Sequence, residues 1–264
     1  PRFSAYVVPA RDLPAFSLGT LPDDVKGRRR AEDLATRLHA FLGGRRMTYG
    51  EAGRGIGVHP NQLRYAAATG TVLIRWNGAR QPTVWTVPAP RIDPPAARLQ
   101  LARRYLHVFG PSTPAAFAQW AGIATKGAQA AFDVLGPSLT PVRTPIGDGW
   151  ILSEDERTFR EPAGLTAGAR LLPSGDPYFL LHGADRELLV PQADGRGALW
   201  TSRVWPGAVL VAGEIVGTWR RADAALTIQL WRRLSRQERD EVQAEGESMP
   251  LPGIGARVTF GVPR

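Results

Sequence analysis

One order of predicted secondary-structure elements occurs twice in this sequence, in residues 26–90 and again in residues 91–155. Each copy is predicted to form a helix, a helix, a turn, a third helix, a strand, a turn and a strand. Special positions keep the same register 65 residues apart, pairing Thr48 with Thr113, Gly57 with Gly122, and Val58 with Ile123. This order is typical of a winged helix, so the sequence predicts two tandem winged-helix (helix-turn-helix) domains.

Local signals place the elements of each copy. In the first copy we expect helices over 26–42, 49–56 and 59–69, and strands over 71–76 and 83–87, with a hairpin turn at Asn77-Gly78. In the second copy we expect helices over 95–109, from 114 and over 126–135, then strands over 139–143 and 150–153 around a turn at 145–149. Thr48 and Thr113 are expected to cap the second helix of their copies.

The region from 156 to 264 has a different character. Residues 208–219 resemble a hairpin that turns at Ala212-Gly213, and 225–231 and 257–260 are predicted strands. Ser235 with Glu238 predicts a capping box at the start of a helix that ends near 247. We expect mostly β structure with one helix, forming a small barrel or an open sheet. The predicted fold class is α+β: tandem winged-helix domains followed by a β-rich, barrel-like C-terminal domain.

Positive charge is concentrated in the first copy. Between Lys26 and Arg91 there are twelve basic and three acidic residues, a surplus equal to the net charge of +9 of the whole chain. A local surplus of this size favours a polyanionic partner, and double-stranded DNA is the partner that we expect for winged helices. A solvated basic face that serves solubility is the alternative interpretation.

The predicted DNA-binding residues fall into three groups. In helix-turn-helix proteins the third helix enters the major groove, where Asn and Gln can contact adenine and Arg can contact guanine. The groups are the third helix (His59, Asn61, Gln62, Arg64), the predicted wing (Arg75, Arg80) and candidate phosphate contacts (Arg28, Arg29, Arg30, Arg45, Arg46). Ordinary exposure on a polar helix face is the alternative for the third helix. The equivalent helix of the second copy carries little charge, so we expect it to serve as scaffold or as a weaker contact.

Other classes of function find little support in the sequence. It contains no cysteine, which excludes disulfides and thiolate metal sites. The four histidines lack metal-ligand spacing, and no glycine-rich loop has the context of a phosphate cradle. No run of eighteen apolar residues and no signal sequence in residues 1–10 are found. We therefore expect a cytoplasmic monomer without metal, cofactor or membrane contact.

Several short segments resemble one family specifically. They are Leu-Ala-Arg-Arg-Tyr-Leu at 101–106, Phe-Gly-Pro at 109–111, Trp-Ala-Gly at 120–122, Asp-Pro-Tyr at 176–178 and Val-Gly-Thr-Trp-Arg-Arg at 216–221. Together they resemble the AlkZ/YcaQ family of DNA glycosylases, and residues 2–14 are similar to the end of its first winged helix. The resemblance implies three tandem winged helices and a β-barrel that form a basic channel for duplex DNA. It also implies excision of alkylated purines and unhooking of interstrand crosslinks.

The chain departs from the family pattern in its reactive residues. The resemblance implies a Gln-apolar-Gln or Gln-apolar-Asp motif in the amino-terminal part, but Gln-x-Gln is absent and Gln192-Ala193-Asp194 falls in the β region, where we interpret it as coincidental. Tyr6 stands where many relatives have histidine. The expected domains are 1–25 (a remnant of a first winged helix), 26–90, 91–155 and 156–264, with no assigned catalytic residue.

Two hypotheses on function therefore remain open. The chain is either a DNA glycosylase-type repair protein, with its enzymatic activity undecided, or a non-enzymatic DNA-binding regulator or lesion-binding self-resistance protein. A third possibility, a winged-helix module for protein contacts, is disfavoured by the concentration of positive charge.

Overall fold

The computed structural model describes residues 8–76, 81–161, 168–180, 185–202, 204–250, 255 and 257–261. These residues form mixed α/β structure in two units, Pro1–Thr158 and Phe159–Arg264. The finer division into four domains stays a prediction.

The first half of the first unit follows the predicted order closely. Its helices are α1 (Leu13–Leu18), α2 (Val25–Leu42), α3 (Tyr49–Gly55) and α4 (Leu63–Ala66), and its strands are β1 (Met47–Thr48), β2 (Val72–Arg75) and β3 (Thr83–Thr86). The strands form an antiparallel sheet in the order β1-β3-β2. Strand β1 has only two residues, too few to give a sequence pattern, and it was not predicted. The predicted turn Asn77-Gly78 lies outside the described residues.

The third helical segment is less regular than predicted. Only α4 is α-helical, and 3₁₀ turns flank it at Pro60–Gln62 and Ala67–Thr69. We call residues 60–69 together the 60–69 helix. Gly57 precedes it with φ +66° and Gly70 ends it with φ +73°, both in the left-handed region that glycine tolerates best. Leu34, Leu38 and Leu63 belong to the buried core that joins this helix to α2.

The second half of the first unit repeats the helical order. It contains α5 (Pro94–Phe109), α6 (Pro114–Ala121), α7 (Thr125–Leu135), β4 (Leu139–Thr144) and β5 (Gly147–Leu152). Helix α8 (Glu156–Arg160) follows and crosses the boundary between the units. The side chain of Thr113 caps α6 as predicted, and Gly122 follows with φ +71°. The return strand begins at Gly147 rather than at 150, because Thr144 already pairs with Gly147 across a two-residue turn. An aromatic core lies between these helices (Tyr105, Phe117, Trp120, Phe132).

The second unit is built on an open sheet. Its elements are β6 (Ala169–Leu172), α9 (Asp185–Leu189), α10 (Ala193–Leu199), β7 (Gly207–Val211), β8 (Glu214–Ala222), β9 (Ala225–Leu230), α11 (Arg236–Glu247) and β10 (Arg257–Phe260). The hairpin turn at Ala212-Gly213 and the capping box of Ser235 with Glu238 are confirmed. The expectation of a single helix was wrong, since α9 and α10 are also present.

The barrel-like domain predicted here is corrected to an open sheet. The strand order is β10-β9-β8-β7-β6, so β6 and β10 form opposite edges, and the described residues contain no pairing that would close the sheet. Strand β10 lies parallel to β9, which requires a crossover connection, and α11 supplies it. Because α11 packs on both β6 and β10, it covers one face of the sheet and buries Val242 against Leu226 and Ile228. Closure of a sheet into a barrel depends on pairing between its two edge strands, and no local sequence pattern predicts that pairing.

Candidate nucleic-acid interface

A cleft of about 550 Å³ lies in the first unit, beside the 60–69 helix. Its lining comes from α1, the start of α2, the 60–69 helix and β2, with Ala121 and Gly122 from the second half of the unit. Helix α2 packs directly against the 60–69 helix beside the cleft. Three of the predicted DNA-binding residues, Arg30, Asn61 and Arg64, line it together.

Arg30 and Arg64 both lie against Tyr65. The guanidinium carbon of Arg30 is 4.1 Å from the centroid of the Tyr65 ring, and that of Arg64 is 5.6 Å from it. A nitrogen of Arg30 also donates a hydrogen bond of 3.2 Å to the side-chain oxygen of Gln62. Attraction between a cation and an aromatic ring orients these guanidinium groups and concentrates positive charge at the cleft. The amide of Asn61 is exposed beside them.

Tyr49 has a buried hydroxyl in the cleft wall. The residue is 7% exposed, and its hydroxyl has no hydrogen-bond partner among the described residues. Burial raises the pKa of this hydroxyl, and the nearby positive charge of Arg64 opposes the rise. Trp76, which is 48% exposed, meets the Tyr49 ring edge-on with 6.0 Å between the ring centroids. The site thus combines cations at its rim with aromatic rings and an unsatisfied donor.

The other predicted residues have different surroundings. Arg29 is exposed on α2, and Arg75 is exposed at the end of β2. Arg28 donates a long bond of 3.4 Å to the carbonyl oxygen of Pro22, and the ring nitrogen of His59 accepts one from the backbone of Asn61. Arg80 lies outside the described residues.

Arg45 and Arg46 occupy the far end of α2 from Arg28, Arg29 and Arg30. Arg45 donates to the carbonyl oxygens of Phe41 and Leu42, at 3.0 and 3.1 Å, and so caps the carboxyl end of α2. The guanidinium carbon of Arg46 lies 4.5 Å from the centroid of the Trp85 ring. The predicted set therefore includes one group that lines the cleft (Arg30, Asn61, Arg64) and a second group beyond the carboxyl end of α2 (Arg45, Arg46).

The two tyrosines of the cleft, Tyr65 and Tyr49, were not predicted as functional residues. Tyr65 lies four positions after Asn61, the spacing that puts two side chains on one face of a helix, so this signal was present in the sequence. Tyr49 carries no such signal. It follows a helix cap directly, and only the packing of α3 against β3 and the 60–69 helix brings it to the cleft.

The described residues offer few other candidates for a functional site. The described residues contain no group of His, Asp and Glu arranged to hold a metal ion, and no described helix is long and apolar enough to cross a membrane. His107 lies 2.9 Å from the carboxylate of Asp155 on an exposed surface. In the Gln192-Ala193-Asp194 segment both polar side chains are exposed at the start of α10, in the second unit.

Comparison with known proteins places these features in context. Residues 1–250 match the family described as DNA glycosylase AlkZ-like. No curated protein sequence matches the chain. Among solved structures, the chain is similar to the Streptomyces sahachiroi DNA glycosylase AlkZ, with a TM-score of 0.69, 19% sequence identity, and coverage of 88% of this chain and 70% of that chain. At this identity the structural similarity establishes a common fold.

Proposed function

This chain belongs to the AlkZ-like family of DNA glycosylases, as its sequence motifs had indicated, and from this membership we propose that it binds double-stranded DNA and acts in the processing of DNA lesions. The observation that carries the proposal is the meeting of Arg30, Asn61 and Arg64 at one cleft beside the 60–69 helix. Arginine and asparagine are the side chains that bind phosphate and read base edges most effectively.

We further propose that the two halves of the first unit are tandem winged helices. Each half has three successive helical elements followed by an antiparallel strand pair, β2-β3 in the first and β4-β5 in the second. In each half a left-handed glycine, Gly57 or Gly122, precedes the third helical element. These features support the 60–69 helix as the element that enters the major groove.

The two halves would contribute unequally. In α7, which corresponds to the 60–69 helix, the side-chain amide of Gln129 donates a 2.8 Å bond to Asp133. Both side chains are exposed, and the negative charge of Asp133 opposes contact with phosphate. The second half is therefore proposed as scaffold, and DNA affinity is assigned mainly to the first half.

A non-enzymatic DNA-binding role, as a regulator or a lesion-binding self-resistance protein, is the second candidate. The 264 residues contain no Gln-x-Gln, and the exposed Gln192-Ala193-Asp194 segment lies in the second unit. Cleavage of a glycosidic bond needs a positioned nucleophile and stabilised charge, and no group in the cleft is assigned that task. A monomeric state and a cytoplasmic location stay predictions.

Fluorescence anisotropy with a labelled duplex over a series of salt concentrations tests DNA binding. The Arg28→Ala/Arg29→Ala/Arg30→Ala variant is expected to bind the duplex more weakly. The slope of log association constant against log salt concentration should become less negative by roughly 0.9 for each phosphate that the variant no longer neutralises. The matched control, Arg221→Ala/Arg233→Ala/Arg257→Ala, removes the same charge from exposed positions of the second unit and should change both quantities less. Equal effects of the two variants would remove α2 as the binding face.

Release of base from alkylated duplex separates the two candidate functions. Base release by this chain supports the glycosylase. Binding without release supports the non-enzymatic role. Failure of the unaltered chain to bind any duplex at low salt would refute both.

A further inference from the structure

The two edges of the C-terminal sheet differ in how side chains protect them. At the β6 edge, the carboxylate of Glu245 accepts a 3.4 Å bond from the backbone of Leu171. The side chain of Arg170 donates a 2.7 Å bond to the carbonyl oxygen of Ala169 on the same strand. These side chains occupy backbone groups with which another strand could otherwise pair. No described residue caps the backbone of β10 in this way.

Strand β10 presents the backbone groups of Val258 and Phe260 at its open edge. The backbone amides of Arg257 and Gly261 donate bonds of 2.8 and 2.7 Å to carbonyl oxygens of the β9 segment, so these two residues face β9. Because backbone groups point alternately to the two sides of a strand, those of Val258 and Phe260 point away from β9. They have no hydrogen-bond partner in the part of the chain that the structure describes, and they are available to an added strand.

The side chains at this edge are apolar on one face of the sheet and polar on the other. Val258 and Phe260 pack against the core beneath α11. Arg257 and Thr259 are exposed on the opposite face. The guanidinium carbon of Arg239, on α11, lies 3.9 Å from the centroid of the Phe260 ring. One arginine therefore lies on each face of the edge.

Charge decides which kind of strand this edge accepts. Arg257 belongs to β10 and Arg239 contacts it, whereas the exposed Asp240 on α11 offsets only part of this positive charge. A second copy of β10 would bring the same two arginines, and like charges across paired strands are destabilising. An acidic strand would meet opposite charge on both faces of the sheet instead.

We propose that the β10 edge binds an extended acidic segment of a partner protein as a sixth strand, whose backbone pairs with Val258 and Phe260 while its carboxylates contact Arg239 and Arg257. Backbone bonds would supply affinity, and the two arginines would select for acidic sequence. The site belongs to the second unit, so it is independent of the DNA binding proposed for the first unit.

Two peptides test the backbone pairing on the full chain. The first, fluorescein-labelled Asp-Glu-Ile-Asp-Val-Glu-Asp, places carboxylates on both faces of an extended strand and two apolar side chains on one face. The second has the same sequence and charge but carries N-methyl groups on its five central residues, so it cannot donate backbone bonds from either side. Each backbone bond is worth about threefold to tenfold in affinity, so by anisotropy the second peptide should bind at least about tenfold more weakly.

Two substitutions of Val258 test the same bonds from the side of the protein. Val258→Pro removes one outward N–H and leaves the bonds from Arg257 and Gly261 to β9 in place. It should weaken binding of the first peptide about threefold to tenfold. Val258→Ala keeps this N–H and is the matched control, which should bind the peptide as the unaltered chain does. Thermal unfolding checks the fold of both variants, and the N-methylated peptide decides the question if Val258→Pro does not fold.

The charge is tested separately. Arg257→Ala should weaken binding of the first peptide about twofold to fivefold, as expected for an exposed ion pair. Arg221→Ala removes the same charge from an exposed position of β8, which β9 separates from β10, and should change the affinity less.

Three results would overturn the proposal. The first is no binding of the unmethylated peptide up to about 1 mM. The second is equal affinity for the two peptides, which would indicate attraction by charge alone. The third is displacement of the peptide by duplex DNA together with weaker duplex binding by Arg257→Ala, which would assign these arginines to phosphate.

Discussion

Arg98 and Asp23, 75 positions apart in the sequence, form an ion pair with 2.6 Å between a guanidinium nitrogen and a carboxylate oxygen. The Arg98 side chain is only 9% exposed, and its other nitrogens donate to the carbonyl oxygens of Gly19 and Leu21 at 3.2 and 2.8 Å. Gly127 of α7 leaves room for the pair, since a Cβ there would lie 2.5 to 2.6 Å from both partners. One arginine of α5 thus fixes the segment between α1 and α2, which supplies part of the lining of the cleft.

Replacement of Arg98 should destabilise the first unit. We expect Arg98→Ala to lower the free energy of unfolding by about 3 kcal/mol, because it leaves two carbonyl oxygens and a partly buried carboxylate without their donor. Urea unfolding followed by circular dichroism measures the change. Arg103→Ala, on the same helix but at an exposed pair 3.9 Å from Glu154, should change it by less than about 0.5 kcal/mol. Equal effects at the two positions would contradict the structural role of Arg98.

The turn before the 60–69 helix should require glycine for its backbone conformation alone. Gly57 has φ +66°, and a Cβ at this position would have no atom within 4 Å, so Gly57→Ala introduces backbone strain without a steric clash. We expect a loss of about 1 kcal/mol in stability. Gly197, which lies within α10 and likewise has no atom within 4 Å of an added Cβ, is the control, and Gly197→Ala should be neutral or slightly stabilising. The thermal unfolding temperatures of the two variants compare them directly.

The start of α11 should show a pH-dependent contribution to stability. The guanidinium of Arg232, which donates a 2.8 Å bond to Glu238, and the backbone of Ser235 lower the pKa of Glu238 from 4.5 to about 2. Because the folded-state pKa is the lower one, this contribution is fully present above pH 4.5 and is lost as the pH falls towards 2. Glu238→Gln should therefore lower the unfolding temperature of the second unit at pH 7 and have progressively less effect below pH 4.5. A difference that stayed constant down to pH 2 would exclude this linkage.

Arg29 and Arg45, both predicted to bind DNA, should differ in their effects on duplex binding and on stability. Arg29 is exposed on α2, so Arg29→Ala should leave the stability unchanged. It should make the slope of log association constant against log salt concentration less negative by roughly 0.9. Arg45 caps α2, so Arg45→Ala is expected to cost about 0.5 kcal/mol of stability. Anisotropy and urea unfolding on the same two variants give both quantities. A stability loss in Arg29→Ala would reverse this assignment.

Local features of the fold were predictable because neighbouring residues decide them. Thr48 caps α3 as predicted, and Ser235 forms the predicted capping box with Glu238. The turn at Ala212-Gly213 likewise follows from two adjacent residues. In each case the hydrogen bonds close within three or four positions, so a short window of sequence contains every group involved.

Features that join distant segments were not predictable in this way. Strand β1 exists only because Met47 and Thr48 pair with Val84 and Thr83, more than thirty positions away. The C-terminal sheet is open because its strand order leaves β6 and β10 at opposite edges, although each strand taken alone would also fit a barrel.

The candidate site shows the same division. Residue identities alone show that the first copy carries the charge surplus and that the chain resembles one family of DNA glycosylases. They also predict a third helical element over 59–69, which begins at Pro60 in the structure. The folded chain was needed to place Arg30 of α2 against Tyr65 and to bring the buried hydroxyl of Tyr49 to the same cleft. Charge follows from residue identity and helix capping from short-range hydrogen bonds. A short stretch of sequence is therefore enough to predict both. A cleft exists only where separate elements pack, and the packing of α1, α2, the 60–69 helix and β2 depends on contacts that no single segment contains.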